Sequence, residues 1–317
     1  MSQSNSRLAP RFSRVSYVVR DLDQTQQWFS RCVGVRFVTG ERTLAADGLK
    51  LQGEVAAGDI RLAVAAGRVG RSGQYELRLI QSLSRNDLFS RFLDRHGAGI
   101  HHIGFVVPDF AQAVAPLLAD GPPLMEFHGG GLHSAYFDCP PLGSVIEVTN
   151  DVATDQVGAS GLRGDTAGSL ASYFNQVAYI VRDCEEANRW MERFVGIAGF
   201  EVGEMFQGPA LNLKFRGVPA PYDFWLKRAV GYVGPDGKAE IEILQPGENE
   251  NALWAHLIKH GPGANHIAFQ VPDFDALTVA LRATGVAPLK EISRGKVHSS
   301  WFCFPQGDSY VEVYQSS

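Results

Sequence analysis

The sequence of 317 residues contains no apolar run of about 18 residues, the length needed to cross a bilayer as a helix. Its first ten residues, Met1 to Pro10, are polar and Ser-rich and lack the apolar centre of a secretory signal. No membrane partner is therefore expected, and the chain is expected to be cytoplasmic. Cysteine is scarce: Cys32, Cys139, Cys184 and Cys303 lie far apart with no C-x-x-C pair, which argues against a zinc knuckle and a redox motif. Reduced and mostly buried thiols are the expectation. Clusters of one charge are missing as well, because 29 Lys and Arg and 34 Asp and Glu are scattered singly and leave a net charge of −5. That removes the electrostatic footprint of a nucleic-acid binder, so a small molecule is the expected partner, with homodimer formation left open.

What is present is a globular composition, 45% hydrophobic and 20% charged, in a chain long enough for about two domains. The chain repeats itself. RVSYVVRDLDQTQQWFSRCVG from Arg14 returns as QVAYIVRDCEEANRWMERFVG from Gln176, GAGIHHIGFVVPDF returns as GPGANHIAFQVPDF, and HSAYFDCPPLGSVIEV from His133 returns as HSSWFCFPQGDSYVEV from His298. A weaker similarity inside each half, VAYIVRD against IAFQVPD, makes four units. Each opens with a β-branched and aromatic run that ends at Asp21, Asp109, Asp183 or Asp273, where a helix N-cap is expected. Amphipathic stripes such as Cys184, Ala187, Trp190, Met191 and Phe194 follow, and Gly34 and Gly196 stand where helices end. Short strands close each unit, in LRLIQ, SVIEV, EIEIL and YVEVY.

The order is β-α-β-β-β, so the expected fold is α+β, four βαβββ modules paired into two open-barrel domains. The expected boundaries are 1–155 for the first domain and 171–317 for the second. Between them, 156–170 falls in a Gly, Ser and Thr-rich stretch without periodicity and is expected to be a linker.

Strand alternation sorts side chains by face. In the second half Val177, Tyr179, Val181, Ile241, Ile243, Ile267, Phe269, Val271, Val311 and Val313 form an apolar face expected to pack on helices. Gln176, Glu242, His266 and Glu312 fall on the other face, one donor per strand. If paired modules bring them together, one imidazole, two carboxylates and an amide oxygen suit a six-coordinate divalent ion with open positions. These residue types accept Ni, Co, Mn, Zn, Mg or Fe.

With Gln176 and His266 opening strands and Glu242 and Glu312 closing them, the chain resembles the vicinal oxygen chelate superfamily, and within it glyoxalase I and methylmalonyl-CoA epimerase. Glyoxalase I has the same Gln, Glu, His, Glu order, and the epimerase has His in the first place. LWAHLIKHGPGANHIAFQVPDF also resembles the epimerase's segment of helix followed by strand, which favours pairing of consecutive modules over a crossed pairing. The resemblance implies a divalent-metal-dependent isomerase, epimerase or lyase acting on a substrate with vicinal oxygens. Glu312 is then the expected base and Glu242 its symmetric counterpart. An extradiol-type non-haem iron dioxygenase is the second reading, set against Gln176 where such enzymes carry His. A non-catalytic binding or resistance protein is the third.

The first half departs from this pattern. Arg14 and Arg78 stand where Gln176 and Glu242 stand, leaving His102 and Glu147, and an internal ion pair to Glu147 is the expected replacement for the metal. The other reading gives the two arginines a ligand's carboxylate or phosphate to hold. His101, His133 and His298 are expected to be structural, and Phe224, Trp225, Tyr232 and Trp301 are candidates for an aromatic pocket wall.

Overall fold

The computed structural model describes residues 8–150, 173–197, 199–248, 251–283 and 285–315. The first sheet contains β1 Phe12–Val18, β2 Phe37–Leu44, β3 Leu49–Leu51, β4 Glu54–Val55, β5 Ile60–Val69, β6 Tyr75–Ser82, β7 Gly99–Val106, β8 Met125–Gly129, β9 Leu132–Cys139 and β10 Ser144–Thr149. The second contains β11 Tyr173–Ile180, β12 Glu201–Gln207, β13 Lys214–Phe215, β14 Val218–Pro219, β15 Phe224–Val233, β16 Ala239–Pro246, β17 Gly263–Gln270, β18 Pro288–Arg294, β19 Val297–Cys303 and β20 Tyr310–Gln315. Strand order is β2-β5-β6-β1-β7-β10-β9-β8-β3-β4 in one and β12-β15-β16-β11-β17-β20-β19-β18-β13-β14 in the other. Each is a curled, open half-barrel, and the fold is α+β, two domains of repeated modules.

The pairing of modules is consecutive. β1 runs parallel to β6 of its own module and antiparallel to β7 of the next, and β11 does the same with β16 and β17. The small β3–β4 hairpin leaves its own module to pair with β8, and β13 pairs likewise with β18, so each half-barrel is clasped across its open side.

Six described α-helices cover the sheets: α1 Leu22–Val33, α2 Leu88–His96, α3 Phe110–Leu118, α4 Cys184–Trp190, α5 Ala252–His260 and α6 Phe274–Ala283. Asp21, Asp109, Asp183 and Asp273 each accept a backbone N–H three residues on, from Gln24, Gln112, Glu186 and Ala276. Such a bond satisfies a donor that the first helical turn leaves unpaired. Gly34 ends α1 in the left-handed region, φ 73°, and Gly196 ends the π-helical turn that extends α4, φ 78°. Among the described residues no helix is long and apolar enough to cross a membrane.

One face of each sheet packs on the helices. Val177, Tyr179, Ile241, Ile243, Ile267, Phe269, Val311 and Val313 are buried there, in a cluster that also holds Val15, Leu77, Ile103 and Ile146 of the first half. The halves meet through Phe12, Tyr75, Phe174 and Phe269, whose rings lie edge to face, tilted or stacked, and through the Tyr75 hydroxyl, which donates to Asp236 at 2.5 Å. Cys32, Cys139 and Cys184 are buried free thiols and Cys303 is exposed. The segment expected as a linker, 156–170, lies outside the described residues.

Candidate functional site

The four donors chosen from the sequence come together on the concave face of the second sheet. β16, β11, β17 and β20 are adjacent in that order, and their registers set Gln176 beside Glu240 and Ala268, Glu242 beside Ala178, Ala178 beside His266, and Ala268 beside Glu312. Glu242 and Glu312 thus stand on the outer pair of four strands, with Gln176 and His266 between them. The Gln176 amide donates from Nε2 to Glu242 Oε2 at 2.6 Å. His266 Nε2 lies 3.3 Å from Glu312 Oε2 and 3.8 Å from Glu242 Oε2. It is fully buried, yet neither approach has the alignment of a hydrogen bond, so this nitrogen has no partner.

The backbone explains how His266 is aimed. Between Ala178 and Tyr179 the β11–β17 register shifts, because Ala178 faces His266 while Tyr179 faces Ala264, and Asn265 is the extra residue of a bulge. Bulges re-aim side chains next to functional sites. Here the bulge places Asn265 Oδ1 3.1 Å from His266 Nδ1. When Nδ1 donates to that amide oxygen in a neutral ring, Nε2 is left as the lone-pair nitrogen, the tautomer a metal ligand requires.

Charges not chosen from the sequence complete the site. Arg228 on β15 donates from Nε to Glu242 Oε1 and approaches Glu240 at 3.9 Å. Ser299 on β19 donates to Glu312 Oε1. Burial by itself would raise the Glu312 pKa, but His266, Ser299 and Lys290 together lower it to about 2, so the group is ionised. Burial works against the charge of Arg228, and Glu242 and Glu240 outweigh it and hold its pKa above the usual value. For Glu240, burial with Glu242 and Glu312 nearby outweighs Arg228 and raises the carboxyl. Trp301, a member of the expected aromatic wall, packs against the His266 ring, centroids 4.1 Å apart. Phe224 belongs to a separate apolar cluster with Leu213 and Ala220, and Tyr232 is exposed. His298 contacts Ser293 and Phe274 at the far end of β19, and His133 pairs with Glu126.

As placed, the donors bond to one another: Glu242 has one oxygen on Gln176 and the other on Arg228. Among the described residues no three His, Cys, Asp or Glu side chains form a ready coordination group. The chemistry of the set nevertheless fits a divalent cation. The orphaned, buried His266 Nε2 faces two carboxylate oxygens, and a half-turn of the Gln176 amide exchanges its donor for an acceptor.

The first sheet shows the same register with other chemistry. Arg14 Nη1 reaches Glu147 Oε2 at 3.5 Å, His102 Nε2 lies 3.4 Å from the same oxygen, and the Tyr136 hydroxyl donates to Oε1 at 2.9 Å. Arg78 donates to Glu76 at 2.7 Å. Burial would raise the Glu147 pKa, and Arg14, His102 and Arg78 overcome it and hold the group well below the usual value. Over this network Val18, Leu44, Leu49, Ile60, Leu62, Ile80, Phe89, Met125, Phe127 and Tyr136 form one continuous apolar cluster. The internal ion pair to Glu147 that the sequence leads one to expect is present, made by Arg14, beside this apolar cluster. His101 is buried beside it, Nδ1 to Nδ1 with His102 at 2.7 Å, against Phe89 and Phe92.

A family model described as Glyoxalase/Bleomycin resistance protein/Dioxygenase superfamily matches residues 13–137 and again 175–304. No curated protein matches the chain in sequence. Among solved structures, a triple mutant of 4-hydroxymandelate synthase from Streptomyces coelicolor superposes with a TM-score of 0.65 at 13% identity, covering 97% of this chain and 92% of that one. A halotolerant catechol dioxygenase superposes with a TM-score of 0.51 at 14% identity, over 98% and 88% of the two chains. A Mn(II)-bound glyoxalase from Novosphingobium aromaticivorans reaches 0.48 at 16% identity, over 97% and 82%. At these identities the first two show the fold alone.

Proposed function

This chain belongs to the glyoxalase/bleomycin resistance protein/dioxygenase superfamily, and on that premise we propose that its second half is a divalent-metal-dependent isomerase, epimerase or lyase of the glyoxalase type. The observation that carries the reading is the pair of carboxylates, Glu312 and Glu242, that flank the buried His266 Nε2, which like His102 Nε2 has no hydrogen-bond partner but unlike it faces no carboxylate paired with an Arg14 equivalent. Gln176, Glu242, His266 and Glu312 would hold the ion. When bound it would supply Lewis-acid charge to two vicinal oxygens of a small substrate.

The protein's own part is to place and move a proton. Glu312 is ionised and held by Ser299, so it presents a carboxylate to a C–H α to a carbonyl without first losing a proton of its own. Glu242, held by Arg228, stands across His266 as the second carboxylate, and a pair of this kind lets a proton leave to one oxygen and return from another. The Trp301 ring covers His266 and excludes water from that side.

A dioxygenase is the weaker reading, because the facial triad of non-haem iron oxygenases uses two imidazoles and one carboxylate, whereas here His266 is the single imidazole of a set rich in oxygen donors. Elemental analysis of protein purified without chelator tests the proposal. Wild-type protein should carry a divalent metal that His266→Ala and Glu242→Ala lose. A metal-free wild type that also fails to take up Mn²⁺, Co²⁺, Ni²⁺ or Zn²⁺ on addition would remove the reading.

A further inference from the structure

Lys290 has no counterpart in the first half. It occupies the position on β18 that Met125 occupies on β8, since Lys290 is registered with Trp301 and Met125 with Tyr136, in the equivalent segments PLKEIS and PLMEFH. Met125 is fully buried within the apolar cluster of the first half. In the second half the equivalent apolar residues fall into two separate clusters, Ile180, Leu226, Leu244, Leu253, Leu257 and Trp301 in one and Leu213, Ala220 and Phe224 in the other. A lysine therefore stands beside the second half's donors where a methionine packs into the apolar cluster of the first.

The Lys290 side chain is only 5% exposed, and its ammonium lies over the Trp301 ring at 4.1 Å with no hydrogen bond or ion pair among the described residues. Burial of a charge without a paired oxygen is unfavourable, and a single aromatic face offsets part of that. Burial lowers its pKa, while Glu312 and Glu242 act in the opposite direction, which places the ammonium within their field. The surrounding charges also fail to balance once a divalent cation is added. Glu240, Glu242 and Glu312 supply three carboxyls, Arg228, Lys290 and the ion supply four positive charges, and one negative charge is wanting.

We infer that Lys290, seated on Trp301, receives the carboxylate of the substrate, so that the molecule turned over is a monoanionic 2-oxo or 2-hydroxy acid rather than an uncharged carbonyl compound. The inference rests on the proposed metal-dependent reading of the same cleft and adds the substrate's charge to it. Lys290 is a specificity-determining residue: it fixes the anionic end while the vicinal oxygens lie toward His266. A charge-assisted bond to a buried ammonium is worth about a factor of 10 or more in affinity.

Calorimetric titration of lactate, 2-oxobutyrate and phenyllactate, each beside its uncharged amide, tests this in wild type, Lys290→Met and Lys290→Arg, with and without Mn²⁺. Met fits the site in the first half, and Arg keeps the charge. Wild type should bind the acids about tenfold or more tightly than the amides, Lys290→Arg should keep the preference, and Lys290→Met should erase it. Mn²⁺ alone should bind several-fold more tightly to Lys290→Met than to wild type, since a like charge has gone. Acids binding no better than amides, no binding of any acid, or a preference that survives in Lys290→Met would each overturn the inference. Failure of Mn²⁺ to bind any variant would instead remove the metal, leaving the metal-free comparison of acids and amides to decide the role of Lys290.

Discussion

Replacing Arg14 by Met in the first half should destabilise the protein while leaving the second half's metal content unchanged. Arg14 and Glu147 are each 2% exposed and 3.5 Å apart, and Glu147 keeps the Tyr136 hydroxyl at 2.9 Å and the Ser134 hydroxyl at 3.3 Å when the guanidinium is removed. Breaking a buried pair by deleting one partner costs about 3–5 kcal/mol, and the two retained hydroxyls place this case near about 3. For a unit of about 150 residues, that corresponds to a fall in Tm of roughly 6–12 °C. The effect has a pH signature. The folded-state pKa of Glu147 is depressed below 4.5, so its contribution is present above the unfolded value and is lost as pH falls through the folded one. Arg14→Met removes part of that depression, so wild type and variant should differ most near neutral pH and converge as pH falls below the unfolded value through the depressed folded one. Calorimetry and urea unfolding at neutral and at acid pH measure this, and Arg14→Met with Glu147→Gln should recover much of the loss because no buried charge is left over. A loss under about 1 kcal/mol at neutral pH, or an equal loss at both pH values, would refute the assignment of this network as a buried ion pair.

Glu312→Gln should retain much of the metal while lowering turnover by about 10²–10⁴-fold, the usual share of general-base catalysis; near-normal turnover would show that the proton goes elsewhere. Asn265→Ala should weaken Mn²⁺ binding by roughly 10–100-fold, because the His266 ring loses the acceptor that fixes its tautomer, and equilibrium dialysis against Mn²⁺ reads this without any substrate. Gly104→Ala should destabilise the first half by about 1–3 kcal/mol. A methyl group there would stand 2.4 Å from Arg14 Cγ, whereas the equivalent position of the second half is Ala268 beside the smaller Gln176; denaturant unfolding compares them, and an unchanged midpoint would count against the close packing of Arg14.

The duplication and the module order were legible because strand-opening runs, Asp caps and glycine stops recur in both halves, and each is a local signal that survives divergence. That Gln176, Glu242, His266 and Glu312 share a face was legible for the same reason, since period-two alternation assigns a face without any knowledge of neighbouring strands. What stayed hidden depends on register. Arg228 lies on a middle strand, and its bond to Glu242 follows from the alignment of β15 on β16, which no local pattern reveals. Asn265 was concealed by the bulge, because strict alternation sends it to the helix face, and the extra residue turns it toward His266 instead. Lys290 left one trace in the sequence, the exchange of Met for Lys between PLMEFH and PLKEIS, whose meaning appears only once both positions face the hollow of a half-barrel.

The two halves therefore hold one backbone solution and two electrostatic ones. In the first, a guanidinium on β1 reaches the carboxylate on β10, so the site carries its own cation, and apolar residues can close over it with little charge left to neutralise. In the second, the shorter amide of Gln176 cannot play that part. Arg228 enters from the rim to hold Glu242, and Lys290 enters from β18, but neither reaches His266 Nε2, and the buried nitrogen stays unpaired. A fold tolerates an orphaned buried polar atom poorly, at about 1–3 kcal/mol, unless something else completes it. Both halves hold a buried imidazole nitrogen without a hydrogen-bond partner, His102 Nε2 and His266 Nε2, and what differs is the charge around it: Arg14 on Glu147 with Met125 nearby in the first, two carboxylates with Lys290 over Trp301 in the second, and that difference is the physical reason to place function in the second half.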